Sequence, residues 1–104
     1  MVQYLKNKAD FDMLVGNETK LIVIDFTASW CPPCRMIAPI FEEMAEENPD
    51  VVFVKVDVDE ADDVASACGI SAMPTFQFYK GGDKVHEFSG ASEQILRAKV
   101  AELK

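Results

Sequence analysis

The sequence predicts an α/β fold: a mixed, mostly parallel central sheet of about five strands flanked by four helices. Three observations carry this. Lys20 to Thr27 (KLIVIDFT) and Val51 to Asp57 (VVFVKVD) are near-continuous β-branched and apolar runs, the pattern of strands covered on both faces. Amphipathic helical segments alternate with them, as crossover connections between parallel strands require. Late in the chain, Gly81-Gly82 divides two further strand-like runs. That signals a hairpin and adds an antiparallel strand.

Each element has its own signal. Val2 to Leu5 is a short strand. Asn7 caps a helix carrying Phe11, Leu14 and Val15 on one face, ended by Gly16-Asn17. KLIVIDFT follows. A long helix from about Pro33 to Glu47 sets Ile37, Ile40, Phe41 and Met44 in one stripe. Glu42, Glu43, Glu46 and Glu47 lie towards solvent. Pro39 should kink this helix, and Asn48-Pro49-Asp50 stops it before VVFVKVD. Asp59 opens a helix with Ala61, Val64, Ala65 and Cys68 facing inward, and Gly69 ends it. Thr75 to Tyr79 and Val85 to Phe88 are the hairpin strands. Ser92 caps a last helix bearing Leu96, Val100 and Leu103. The order is β-α-β-α-β-α-β-β-α. Repeats and linkers are absent, so a single domain is expected over residues 1–104.

Charge excludes several functions. Ten Lys and Arg face 18 Asp and Glu, a net charge of −8. Nucleic acid requires a basic stripe, so it is disfavoured as a partner, as are anionic membrane surfaces. Partners with basic faces are favoured. The most apolar stretch, Leu21 to Ala28, is interrupted by Asp25 and is far shorter than the ~20 residues of a spanning helix. The first residues lack the basic-then-apolar pattern of an export signal. A cytoplasmic, soluble protein is therefore expected.

Three cysteines is an odd count, unlike a secreted disulfide scaffold. Two of them form Cys31-Pro32-Pro33-Cys34 between a buried strand and a helix. A helix N-terminus offers unpaired N–H groups and partial positive charge, which favour thiolate over thiol at Cys31. Arg35 adds positive charge. Cys34 lies one turn inside, where its sulfur can reach that of Cys31. One thiol can then attack a disulfide and the other resolve the mixed disulfide. The competing reading is structural zinc. Cys31, Cys34, Cys68 and His86 are the only soft ligands, and no second CxxC or CxxH exists, so no metal is expected. Asp25 falls within an apolar run and should be buried, with its carboxyl pKa raised by desolvation. Lys55 interrupts the partner strand. Cys68 is expected to be a buried core thiol and His86 an ordinary solvated residue.

The segment Phe26-Thr-Ala-Ser-Trp30-Cys31-Pro-Pro-Cys34-Arg-Met-Ile-Ala-Pro39 resembles the active-site segment of the thioredoxin family. Val23-Ile-Asp25-Phe26, Val54-Lys55-Val-Asp-Val-Asp59, Met73-Pro74-Thr-Phe76 and Phe88-Ser-Gly90-Ala91 extend the resemblance, in order, along the whole chain. It is most similar to the cytosolic animal-type members. The resemblance implies the thioredoxin fold and reduction of protein disulfides, with Cys31 the exposed nucleophile and Cys34 the shielded resolving thiol. It implies that Asp25 takes the Cys34 proton through water, with Lys55 nearby to moderate its charge. It also implies a cis Met73–Pro74 bond that lays the Met73 backbone beside Cys31 for an extended substrate. Trp30 and Gly90 would form opposite walls, Gly90 by leaving room for close approach. No bound cofactor is implied. Electrons would come from NADPH through a separate thioredoxin reductase, the substrates would be disulfide-containing proteins, and the protein would be a monomer contributing to redox homeostasis.

One departure stands out. The family usually carries Gly-Pro between its cysteines, whereas this chain carries Pro32-Pro33. Proline suits the first turn of a helix, but Pro32 removes an N–H that could support the Cys31 thiolate. It also stiffens the loop that the disulfide closes. The two effects act on different parts of the redox equilibrium, and Pro32 and Pro33 are expected to tune the couple. Two other functions compete. An oxidant or isomerase lacks support, because no His precedes Cys34. A docking module acting in its reduced form would not depend on turnover.

Overall fold

The computed structural model describes all 104 residues. Its elements are β1 (Gln3–Tyr4), α1 (Lys8–Asn17), β2 (Leu21–Thr27), α2 (Pro32–Glu47), β3 (Val51–Asp57), α3 (Asp62–Ala67), β4 (Thr75–Lys80), β5 (Asp83–Ser89) and α4 (Glu93–Leu103). The five strands form one sheet in the order β1-β3-β2-β4-β5. β1 and β2 both run parallel to β3. β4 runs antiparallel to β2, and β5 to β4.

Antiparallel pairing therefore begins one strand before the hairpin, and helix length explains why. A seven-residue strand spans about 23 Å, but the six residues of α3 carry the chain back only about 9 Å. β4 thus starts near the end of the sheet where β3 finished, with Thr75 opposite Phe26. The C-terminal ends of β2 and β3 and the start of β4 consequently meet at one end of the sheet.

The period-two alternation of the strands divides the core. Leu21, Val23, Phe53, Phe76 and Phe78 point to one face, against Ile37, Phe41 and Met44 of α2 and Leu96 and Val100 of α4. Ile22, Ile24, Phe26, Val54 and Val56 point to the other, against Phe11 of α1 and Val64 of α3. The Phe41 ring meets Phe53 edge-on at 5.2 Å and Phe76 at 5.9 Å. On the outside, Arg97 of α4 holds Glu43 and Glu47 of α2 and Glu93 of α4 at 2.7–2.9 Å. This clamp is exposed, so its contribution to stability is small.

Three boundaries differ from expectation. α2 begins at Pro32 and continues as one helix through Pro39. α3 begins at Asp62, not Asp59, because Asp57 Oδ1 accepts the N–H groups of Asp59 and Glu60 and draws those residues into a turn. Cys68 therefore falls just past the helix, as its C-cap, and is half-buried rather than buried. Its sulfur lies 4.0 Å from the Tyr79 hydroxyl. Burial pushes the thiol of Cys68 up and the phenol of Tyr79 well above its usual range. No helix is long and apolar enough to cross a membrane.

Phe41 of α2 is fully buried against the sheet, beside the Phe53 and Phe76 rings. Phe41→Ala should cost roughly 3–5 kcal/mol, read as a lower urea midpoint with an unchanged slope. A loss below ~1 kcal/mol would show that α2 repacks freely over the sheet.

Candidate active site

β2 delivers Phe26 and Thr27 to the end of the sheet, and residues 28–31 turn the chain into α2. Cys31 closes that turn through its N–H to the Ala28 carbonyl, at 3.2 Å. It is also the N-cap of α2, its backbone extended and its Sγ accepting the N–H of Cys34 at 3.3 Å. Pro32 and Pro33 occupy the next two positions, and neither has an N–H. Cys34 therefore contributes the first free donor of the helix, and it is spent on the Cys31 sulfur. The two sulfurs are bonded, with Cα atoms 5.3 Å apart. Arg35 turns back to donate to the Ser29 carbonyl at 2.9 Å, which braces the turn from outside.

Cys31 is less open than expected. It is 4% exposed and Cys34 1% exposed. Ala28, Val58 and Met73 pack around the pair, and the Met73 carbonyl oxygen lies 3.6 Å from Cys31 Sγ. The sulfur is recessed behind this wall. The Met73–Pro74 bond is cis, and Pro74 is buried. Gly90 donates its N–H to the Pro74 carbonyl at 2.9 Å, tying the start of β5's exit to the same loop. A β-carbon at Gly90 would meet no atom within 4 Å. Glycine is required there by its φ of 106°, a conformation L side chains rarely adopt, rather than by crowding within the chain.

Trp30 is 60% exposed beside the sulfur pair. Its indole N–H donates to Asp59 Oδ2 at 2.8 Å, and the Asp57 turn holds Asp59 in place. Met36, one turn into α2, is also largely exposed. Neither Asp59 nor Met36 emerged from the sequence as a site residue. The Trp30–Asp59 bond spans 29 residues, and nothing local in the sequence marks it.

Asp25 lies on the face of β2 that carries Leu21 and Val23, beneath α2, with Lys55 as its register partner on β3 and Phe76 on β4. It is 1% exposed, and its Oδ1 has no hydrogen-bond partner. Burial raises its pKa to about 7 against the opposing pull of Lys55. Lys55 is itself only 7% exposed. Its ammonium pairs with Glu42 Oε2 at 3.4 Å and lies 5.8 Å from the centre of the Tyr4 ring. Glu42 was expected on the solvated face of α2. It is instead half-buried, because its other oxygen accepts the Val2 N–H at 3.0 Å.

A cleft of about 250 Å3 opens beside α2, lined in part by Cys34, Arg35, Lys55 and Asp57. Cys31, Trp30 and Met73 do not line it. Cys34 is thus approached from a side separate from the Trp30–Met73 wall. His86 lies on β5, half-buried beside the Phe78 and Phe88 rings. It and Cys68 stand apart from the sulfur pair, and no group of three or more His, Cys, Asp or Glu is arranged to hold a metal ion.

Comparison with known proteins agrees with this geometry. The family model described as Thioredoxin matches residues 2–102. A thioredoxin of Ophiophagus hannah is 54% identical over 97 residues, covering 92% of each chain. One of Geodia cydonium is 57% identical over 102 residues, covering 96% of each. The X-ray structure of Fasciola hepatica thioredoxin superposes with a TM-score of 0.96 at 46% identity, covering 99% of this chain and 100% of that one. Fold, sulfur pair and relatives point the same way, and the chain belongs to the thioredoxin family of thiol–disulfide oxidoreductases, with protein-disulfide reductase activity.

Proposed function

We propose that reduction runs through Cys31 as the attacking sulfur and Cys34 as the resolving one. The observation that carries this reading is the bond from the Cys34 N–H to Cys31 Sγ at the start of α2. A helix N-terminus aimed at one sulfur stabilises negative charge there and not at the other. The reduced Cys31 thiolate attacks a substrate disulfide and forms a mixed disulfide, and the first substrate thiolate leaves. Cys34 then gives up its proton to Asp25, through water, and attacks Cys31 Sγ. The second substrate thiolate leaves, and the Cys31–Cys34 disulfide remains. Two electrons have passed from the dithiol to the substrate.

Asp25 suits the role of proton acceptor. A carboxyl that titrates near neutrality is matched to taking and returning a proton at physiological pH. Pro32 and Pro33 tune the couple by limiting the first turn to one donor and by stiffening the loop. Trp30, Met73, Pro74 and Gly90 frame the ground where an extended substrate strand would lie, the Met73 backbone pairing with it. No cofactor is held by the chain. Its electrons come from NADPH through a separate thioredoxin reductase, and its substrates are proteins with accessible disulfides. The similarity to animal relatives supports a cytosolic, animal-type thioredoxin, working as a single-domain monomer in the cytoplasm to maintain redox homeostasis.

Iodoacetamide applied to the reduced protein at neutral pH should alkylate Cys31 first. Cys34→Ser should trap mixed disulfides with substrate and lose turnover in insulin reduction. Preferential labelling of Cys34 would reverse the two roles. Full biological output from the Cys34→Ser variant would favour docking over turnover.

Asp25→Asn should slow insulin reduction several-fold while leaving Cys31 alkylation nearly unchanged. It should also change the pH dependence of stability. The folded-state pKa of Asp25, about 7, lies above its unfolded value of 3.8. The folded state therefore binds the extra proton, and wild-type stability falls as pH rises from about 4 to about 7. At ~1.4 kcal/mol per pKa unit the effect amounts to a few kcal/mol. The Asn variant lacks this slope, so its melting temperature should equal or exceed that of wild type at about pH 8. A sharply lower melting temperature there would make Asp25 a structural anchor.

A further inference from the structure

The ion pairing around Asp25 is unexpected. Asp25 and Lys55 are side by side in register on the same face of the sheet, both buried. A buried carboxylate and a buried ammonium so placed ordinarily pair, since each otherwise bears the full cost of desolvation. They do not pair here. The ion-pair partner of Lys55 is Glu42, reaching over from α2, and Asp25 Oδ1 is left with no partner at all.

Glu42 is well built for this. One carboxylate oxygen accepts the Val2 N–H at the edge of the sheet, and the other meets the Lys55 ammonium. The backbone bond fixes the carboxylate, and the carboxylate fixes the lysine. The Tyr4 ring supports the ammonium from the same side. We propose that Glu42 is a positioning residue of the exchange reaction, diverting Lys55 from Asp25 so that Asp25 keeps its affinity for the Cys34 proton at neutral pH. The inference deepens the reading of Asp25 as proton acceptor and rests on it.

The charges around Asp25 all bear on the sign. β3 contributes Lys55, with Asp57 at its end. α2 contributes Glu42, Cys34 and, at the cleft rim, Arg35, while β1 contributes Tyr4 and β4 the uncharged Phe76. Removing the charge of Glu42 acts on Asp25 in one direction only. It deletes a negative charge, and it frees the positive charge of Lys55 to lean towards Asp25. Both favour the ionised carboxylate and lower its affinity for a proton. Glu42→Gln is the clean change, because its amide oxygen can still accept the Val2 N–H.

The test follows the Asp25 side-chain carboxyl by carbon-13 NMR in the reduced protein, together with the pH profile of insulin reduction. Wild type, Glu42→Gln, Lys55→Gln, the double variant and Asp25→Asn are compared. In Glu42→Gln the Asp25 midpoint and the acid limb of the rate profile should both move to lower pH, by roughly half a unit or more for a partly buried charge. In the Lys55→Gln background the same substitution should shift the midpoint by less than half as much. An unmoved midpoint in Glu42→Gln, with a rate profile still altered by Asp25→Asn, overturns this inference alone. An equal shift in both backgrounds overturns it too, by showing that Glu42 acts as a bare charge and not through Lys55. A wild-type rate profile in Asp25→Asn overturns the proton-acceptor reading and this inference together.

Discussion

A helix that caps itself on sulfur is the contact from which the rest of the site follows. Helix starts leave N–H groups without partners, and most chains supply a Ser, Thr, Asp or Asn oxygen for them. Here the cap atom is Cys31 Sγ. Two prolines at the first two positions reduce the available donors, so the remaining one, the Cys34 N–H, goes to the Cys31 sulfur. The Cys31 sulfur is thereby held at the positive end of a 16-residue helix. The turn before it is braced by the Ala28 carbonyl and by Arg35 on Ser29. The Met73 carbonyl and the Trp30–Asp59 bond then close the surroundings of a sulfur whose place is already set.

The same arrangement accounts for the recess of Cys31. A side chain that caps a helix lies close to the backbone, and here that backbone is covered by Met73 and Ala28. Little of the sulfur is left open, Cys31 being 4% exposed with the Met73 carbonyl oxygen 3.6 Å from Sγ. The cleft that reaches Cys34 lies elsewhere, beside Arg35 and Lys55. The cleft lined by Cys34 is therefore separate from the wall that Met73 and Trp30 form beside Cys31.

Asp25 works against stability. A carboxyl buried in a strand with an unpartnered oxygen destabilises the fold whenever it is ionised, and the apolar core on both faces of the sheet must offset this. The surrounding charges moderate the conflict without removing it. Lys55 draws the pKa down, burial draws it up, and burial is the larger influence. Glu42 stands beyond Lys55 and takes its ammonium as an ion-pair partner. The outer face carries a different kind of charge cluster, Arg97 among three glutamates. That cluster is solvated and joins α2 to α4 without touching the site.

Local pattern determined much of this protein. KLIVIDFT and VVFVKVD read as buried strands because near-continuous apolar runs fit strands covered on both faces. The stripe of Ile37, Phe41 and Met44 identified the core face of α2. The CxxC spacing fixed the sulfur pair, and the isolated Asp25 in an apolar run announced its own burial. Tertiary structure decided what depends on partners distant in sequence. The antiparallel β4 follows from the shortness of α3, which a run of Ala, Val and Cys on one helical face did not reveal. Asp59 acquires its role only where the turn after β3 meets Trp30. Glu42 looked like any of four solvated glutamates until β1 and β3 brought Val2 and Lys55 within its reach. Periodicity records which face of an element a residue occupies, whereas the partner of a charged side chain is chosen by three-dimensional proximity and desolvation.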